Sequence, residues 1–176
     1  MVLESLSHAQ KRGAQIYAEV TGYGATSDAY HVVASHPEGK GAYLAMKLAL
    51  QEAGVEPANV DVISAHATST QVGDRSEVAA IKRLFGEEAY RIPVTANKSM
   101  IGHMFGAAGG VEAIALVQMI RDGRIPPTIN QETADPECDL DFVPNEARRK
   151  DVRVGISNSF GFGGHNAVIV LEKFAP

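Results

Sequence analysis

Lys98 and His103 stand in TANKSMIGHMFGAAGG (95–110), after which the chain runs into small residues and a helix almost without charge. A lysine and an imidazole at the mouth of an apolar helix have two chemical uses. The ammonium can neutralise a buried carboxylate, and an imidazole N–H can stabilise a developing oxyanion. Taken alone, the pair reads more simply as a solvated lysine and a helix-capping histidine. SAHATSTQVGD (64–74) adds His66 followed by Thr68, Ser69 and Thr70, and SNSFGFGGHN (157–166) adds Phe160, Phe162 and a run of glycines. His66 by itself reads equally well as a core histidine, and the glycines as a tight turn. Three such clusters in one chain carry more than any of them singly.

Other chemistries are poorly served. The sequence has no GxxxxGK[ST] and no GxGxxG opening a helix, so it offers no phosphate loop. Its six histidines and one cysteine form neither HExxH nor CxxC, so no metal site is expected. Cys138 lies in DPECDLDF, among acids that raise a thiol's pKa and with no base near it in sequence. It is a poor nucleophile.

The elements that must position these groups follow from the pattern of apolar residues. LESLSHAQKR (3–12) predicts a short helix stopped at Gly13, although MVLESL opens without a cap or a strand of its own. AQIYAEVTGYGATS (14–27) predicts a strand, and HVVASHPEG a loop. A helix is expected from 42 to 53, ended by Gly54. ANVDVISAHA (58–67) reads as a short buried strand. Asp74 with Glu77 three residues later suits a helix cap before RSEVAAIKRLFG (75–86). RIPVTA (91–96) is a further strand, and 107–121 a helix apolar all round except for Glu112 and Gln118, hence buried. RVGISNSF and NAVIVLEKF close the chain as two strands about a tight turn. This order predicts one layered α/β domain, largely parallel, with a terminal hairpin. All three polar clusters then fall at strand ends, where α/β proteins build sites.

Composition agrees with a soluble globular domain: 176 residues, 45% hydrophobic, 21% charged, net charge −5. The one basic run, EARRKDVR (146–153), is too short for a nucleic-acid footprint. No apolar run reaches membrane-spanning length. A single cysteine excludes an internal disulfide framework and fits a reducing cytoplasm.

Together, His-x-Thr-Ser-Thr, Lys-Ser-x-x-Gly-His and Asn-Ser-Phe-Gly-Phe-Gly-Gly closely resemble the β-ketoacyl-acyl-carrier-protein synthases. These are the elongating condensing enzymes of dissociated fatty acid synthesis, and the likeness is greatest to type II. It runs from YAEVTGYGATSDAYH through RDGRIPPTIN to the chain's end. It implies the C-terminal half of a thiolase-like α/β/α protein, with a mixed, mostly parallel five-stranded sheet and a terminal hairpin. On this reading 1–13 is the tail of a missing N-terminal half. The resemblance makes His66 and His103 the active-site histidines, Lys98 and Glu112 a supporting pair, and Asp74 an acid beside them. Thr68 and Thr70 match residues that hold a phosphopantetheine arm. Phe160 and Phe162 match the aromatic pair by the acyl pocket, with Phe162 as the gate. A carboxylate such as Glu112 on an apolar helix must be paired or protonated, and Lys98 is the obvious counter-ion. His103, just before that helix, would be kept neutral by the positive end of the macrodipole.

The implied reaction is a decarboxylating Claisen condensation, with substrates carried by acyl carrier protein, no cofactor and no metal, in a homodimeric whole enzyme. Three departures stand out. The nucleophilic cysteine, placed by the family in the N-terminal half, is absent. Ala67 replaces the usual Gly, and His165 the usual Thr. Two other readings stay open: a ketosynthase fragment from a polyketide synthase, and a non-catalytic interaction domain.

Overall fold

The computed structural model describes residues 1–175. Its centre is a five-stranded sheet in the order β1-β7-β6-β2-β3. β1 is Glu19–Ser27, β2 Val62–Ser64, β3 Val94–Thr95, β6 Val154–Gly161 and β7 His165–Glu172. β2 pairs in parallel with β3 and β6, whereas β7 is antiparallel to both β6 and β1. The expected mixed sheet and terminal hairpin are there, but its parallel share is half of the pairings. The chain's last strand doubles back between β6 and β1 and makes both of its own pairings antiparallel.

The helices lie on both faces. α2 (Lys40–Ala53) and α3 (Gln71–Phe85) cover one side, and α5 (Ala108–Asp122) the other. In α2 the buried residues Ala42, Ala45, Met46, Ala49 and Leu50 recur at helical spacing, and Gly54 ends the helix at φ +66°. β1 meets this helix through two glycines. A Cβ on Gly22 or Gly24 would stand 2.1 Å from the Ala49 carbonyl oxygen or 2.0 Å from that of Ala45. No larger residue fits either position. β2 is buried at every position, including the polar Ser64, as a strand covered on both faces must be.

Three local expectations change. Ser5 caps α1 (Leu6–Lys11), its hydroxyl accepting from His8 N at 3.3 Å, so the N-terminus is capped after all. α3 begins at Gln71, with Thr70 rather than Asp74 at the cap position, because Asp74 and Glu77 are used elsewhere. α5 buries Glu112, Ala113, Leu116, Met119 and Ile120 but leaves Ile114 41% exposed. Its apolar residues therefore exceed what the sheet covers. β4 (Arg124–Ile125) and β5 (Arg148–Arg149) form a small antiparallel pair beyond α5, and α4 (Lys98–Ile101) is a single turn after β3. Among the described residues no helix is long and apolar enough to cross a membrane.

Candidate active site

The parallel strands β2, β3 and β6 deliver their C-terminal ends to one edge of the sheet. His66 follows β2, Lys98 follows β3, and Phe160 and Phe162 come from the end of β6 and its turn. The fold itself thus assembles the three clusters.

The His66 and His103 rings lie 5.7 Å apart, edge to face at 87°. Phe160 sits 5.5 Å from the His66 ring, tilted at 56° to it. Lys98 and Glu112, expected as a pair, are both buried and joined Nζ to Oε1. The other Glu112 oxygen is buried with no partner among the described residues. Burial raises the Glu112 carboxyl above the usual range, and Lys98 pulls against that shift. Lys98 Nζ also reaches His66 Nδ1 at 3.5 Å, the outer limit of a hydrogen bond. The His66 imidazole is pushed down to about 3, first by burial, then by the Lys98 charge and by His103. A neutral ring with an ammonium at Nδ1 carries its proton on Nε2.

His103 reaches the same tautomer by another route. Its Nδ1 accepts from Phe105 N at 3.2 Å, which places the ring proton on Nε2. The helix that was expected to tune it starts only at Ala108, after a 3-10 turn over Phe105–Ala107. A backbone N–H within its own loop, rather than the macrodipole, orders this ring. Phe105 stacks on it at 5.2 Å and sits at φ +50°. Ala67 and Ser69, beside His66, also lie at positive φ, +30° and +62°. Strain of this kind persists only where surrounding contacts over-determine the backbone.

At Ala67 that contact is Glu77, whose spacing from Asp74 alone suggests half of a capping box. Its carboxylate is buried and accepts His66 N and Asn158 Nδ2 on Oε1 and Ala67 N on Oε2, each at 2.9 Å. It holds the backbone of the first histidine from behind. Glu77 falls among Ser76, Val78, Ala80 and Ile81 on the buried face of α3, as Glu112 does on α5, a signal that its capping-box spacing from Asp74 masks. Asp74 does not reach His66. Its Oδ1 accepts from Ser69 N at 3.2 Å, so it braces the next residues of the same loop.

Thr68 and Thr70 face each other at 3.2 Å between hydroxyls. They line a cavity of about 880 Å³ that also touches Asp74, Lys98 and His103. Cys138 borders it too, but burial and then Asp135 and Asp74 push its thiol pKa up, the opposite of what a nucleophilic cysteine needs. Phe160 is half-buried, whereas Phe162 stands 76% exposed at the tip of the β6–β7 turn. No group of three His, Cys, Asp or Glu among the described residues is placed to hold a metal.

These features meet a known pattern. The sequence profile of "Beta-ketoacyl synthase, C-terminal domain" matches residues 17–132. The chain is 56% identical over 174 residues to the 3-oxoacyl-[acyl-carrier-protein] synthase 2 of Staphylococcus aureus (strain COL), covering 99% of this chain and 42% of that protein. Its counterpart in Synechocystis sp. is 49% identical over the same shares. A solved type II PKS acyl-carrier protein in complex with its ketosynthase bound to the hexaketide gives a TM-score of 0.95 at 40% identity, over 98% of this chain and 42% of that one. A beta-ketoacyl synthase from Burkholderia phymatum STM815 gives 0.89 at 35%, over 98% and 41%. The chain spans 42% of the length of the curated relatives it matches. On both profile and identity, it belongs to the beta-ketoacyl synthase family, within that family's C-terminal domain.

Proposed function

We propose that this chain supplies the malonyl-decarboxylating half of an elongating 3-oxoacyl-[acyl-carrier-protein] synthase. The observation that carries the proposal is the paired imidazoles, 5.7 Å apart, each engaged at Nδ1 from the protein side and each left with Nε2–H to donate. A malonyl thioester oxygen held by both donors gains negative charge as CO2 leaves, and the donors stabilise that charge. One such donor is worth about 3–4 kcal/mol. The enolate carbon then attacks an acyl thioester, forming the C–C bond and expelling a thiolate. That acyl group would ride on a cysteine supplied by an N-terminal half, since Cys138 is unsuited to the task.

Lys98 and Glu112 hold His66 in its donor form, Glu77 fixes its backbone, and Asp74 steadies the loop bearing Thr68 and Thr70. The two threonine hydroxyls would hydrogen-bond a phosphopantetheine arm. Phe160 shapes the acyl side of His66, and Phe162 guards the entry. The partners on this reading are acyl carrier protein, a cysteine-bearing N-terminal half and, for the whole enzyme, a second copy, all in the cytoplasm. Fatty acid elongation is favoured by the curated relatives at 56% and 49% identity. A polyketide role rests on the ketosynthase structure at 40%.

Release of labelled CO2 from malonyl-carrier protein tests the proposal, with the chain joined to a cysteine-bearing N-terminal half. His66→Ala or His103→Ala should abolish CO2 release while acyl transfer to cysteine survives. Equal loss of both half-reactions would overturn the oxyanion role.

A further inference from the structure

The turn that carries Phe162 is fastened unequally at its two ends. At one end Gly164 is buried, and its carbonyl accepts from Asp28 N at 2.8 Å and from Asn166 Nδ2 at 3.1 Å. Asn166 Nδ2 also donates to Asp28 Oδ1 at 2.8 Å, and Asp28 Oδ2 accepts from His36 N at 3.0 Å. A Cβ on Gly164 would stand only 2.8 Å from that of Asp28, so this end has no room to move. At the other end, the hydrogen bond found is Gly163 N to Val32 O at 2.8 Å, and Phe162 is 76% exposed.

Gly163 adopts φ +81°. On its open side lies the imidazole of His165, with Cδ2 and Nε2 both 3.3 Å from where a Cβ would stand. Gly161, the residue paired with His165 across the hairpin, has the His165 Cβ 3.9 Å from its own Cβ position. The ring thus folds back over the turn from the first residue of β7. His165 is itself an exposed residue, and its ring edge stands beside the point where a Gly163 side chain would begin.

We infer that His165 is a positioning residue: its ring braces Gly163 and thereby sets where Phe162 stands. The brace works by shape, because what opposes Gly163 is the edge of a flat ring. A residue ending at Cγ would leave Gly163 tied by the Val32 hydrogen bond alone. The meaning of the brace for turnover rests on the proposed function. Its existence is a property of the turn.

Amide hydrogen exchange resolved by NMR on the whole chain tests this. In His165→Ala and His165→Thr, exchange at Gly163 should rise about tenfold or more, while Asp28, Val168 and Val170 keep their protection. His165→Phe, which restores a flat ring, should return Gly163 to the parent rate. With 4-fluorophenylalanine incorporated, the Phe162 resonance (assigned by its loss in Phe162→Leu) should move in the Ala and Thr variants and not in the Phe variant. Unchanged Gly163 exchange and an unmoved Phe162 signal would overturn the brace. So would a parallel rise at Val168 and Val170, which would mean that His165 merely stabilises the hairpin. Failure of the decarboxylating role would instead appear as absent CO2 release with Gly163 still protected.

Discussion

Two helices of this domain bury a carboxylate among apolar residues, and they satisfy it in opposite ways. On α5, Glu112 is met by one ammonium and, among the described residues, nothing else. On α3, Glu77 is met by three N–H groups and, among the described residues, by no cation. The α5 pair is charge against charge: each member is costly alone, and the lysine's remaining reach extends to His66 Nδ1. The α3 cluster instead spends its carboxylate on backbone donors, and so converts a buried acid into loop geometry. One carboxylate pairs with the lysine whose charge bears on the first histidine, and the other holds that histidine's backbone.

The largest effect should come from cutting the α5 pair. Lys98→Met strands Glu112 and should cost about 3–5 kcal/mol in denaturant unfolding. Adding Glu112→Gln should recover much of that loss, so the double-mutant cycle shows strong coupling. Simple additivity would mean that the two helices do not differ in the way described. Next comes Glu77→Gln, which keeps one acceptor oxygen but turns an NH2 toward another donor and should cost about 1–3 kcal/mol. Its signature is local: faster amide exchange at His66 and Ala67, with α5 unaffected.

The two carboxylates also differ in how far the sequence alone reveals them. Lys98 and Glu112 were legible because an acid on an almost uncharged helix calls for a cation, and a lysine stood just upstream. The three strand-end clusters were legible because parallel strands share an edge. Glu77 was not, because its spacing from Asp74 fits a capping box equally well. Only the true start of α3 at Gln71 turns its side chain inward. The open face of α5 was likewise invisible: the apolar pattern shows that a face is buried by something, not by what. The Phe105 N–H that orders His103 depends on a loop at positive φ, for which a phenylalanine gives no sign.

A smaller effect concerns pH. Because burial first and the Lys98 charge second hold His66 down to about 3, its protonation opposes folding, and the associated stability is lost as pH falls from 6.5 toward that value. Lys98→Met removes the second cause, so the His66 midpoint should climb toward 6.5 in an NMR titration. Glu77→Gln leaves the Lys98 charge in place and should move it less. Equal movement in both variants would erase the distinction between the two carboxylates. The smallest effect is expected at Ala67, whose φ of +30° suits glycine better. Ala67→Gly should relieve strain and then change stability by no more than about 1 kcal/mol, since glycine's added freedom in the unfolded chain opposes the gain.

The central claim is that both imidazoles carry their proton on Nε2, His66 because of Lys98 and His103 because of Phe105 N. Long-range ¹H–¹⁵N correlation of the histidine side chains at neutral pH reads each tautomer directly. The account predicts the Nε2–H form at His66 and at His103, with the His66 assignment lost or mixed in Lys98→Met and that of His103 unchanged. An Nδ1–H tautomer at either position in the unaltered chain, or imidazolium at His66, would contradict it.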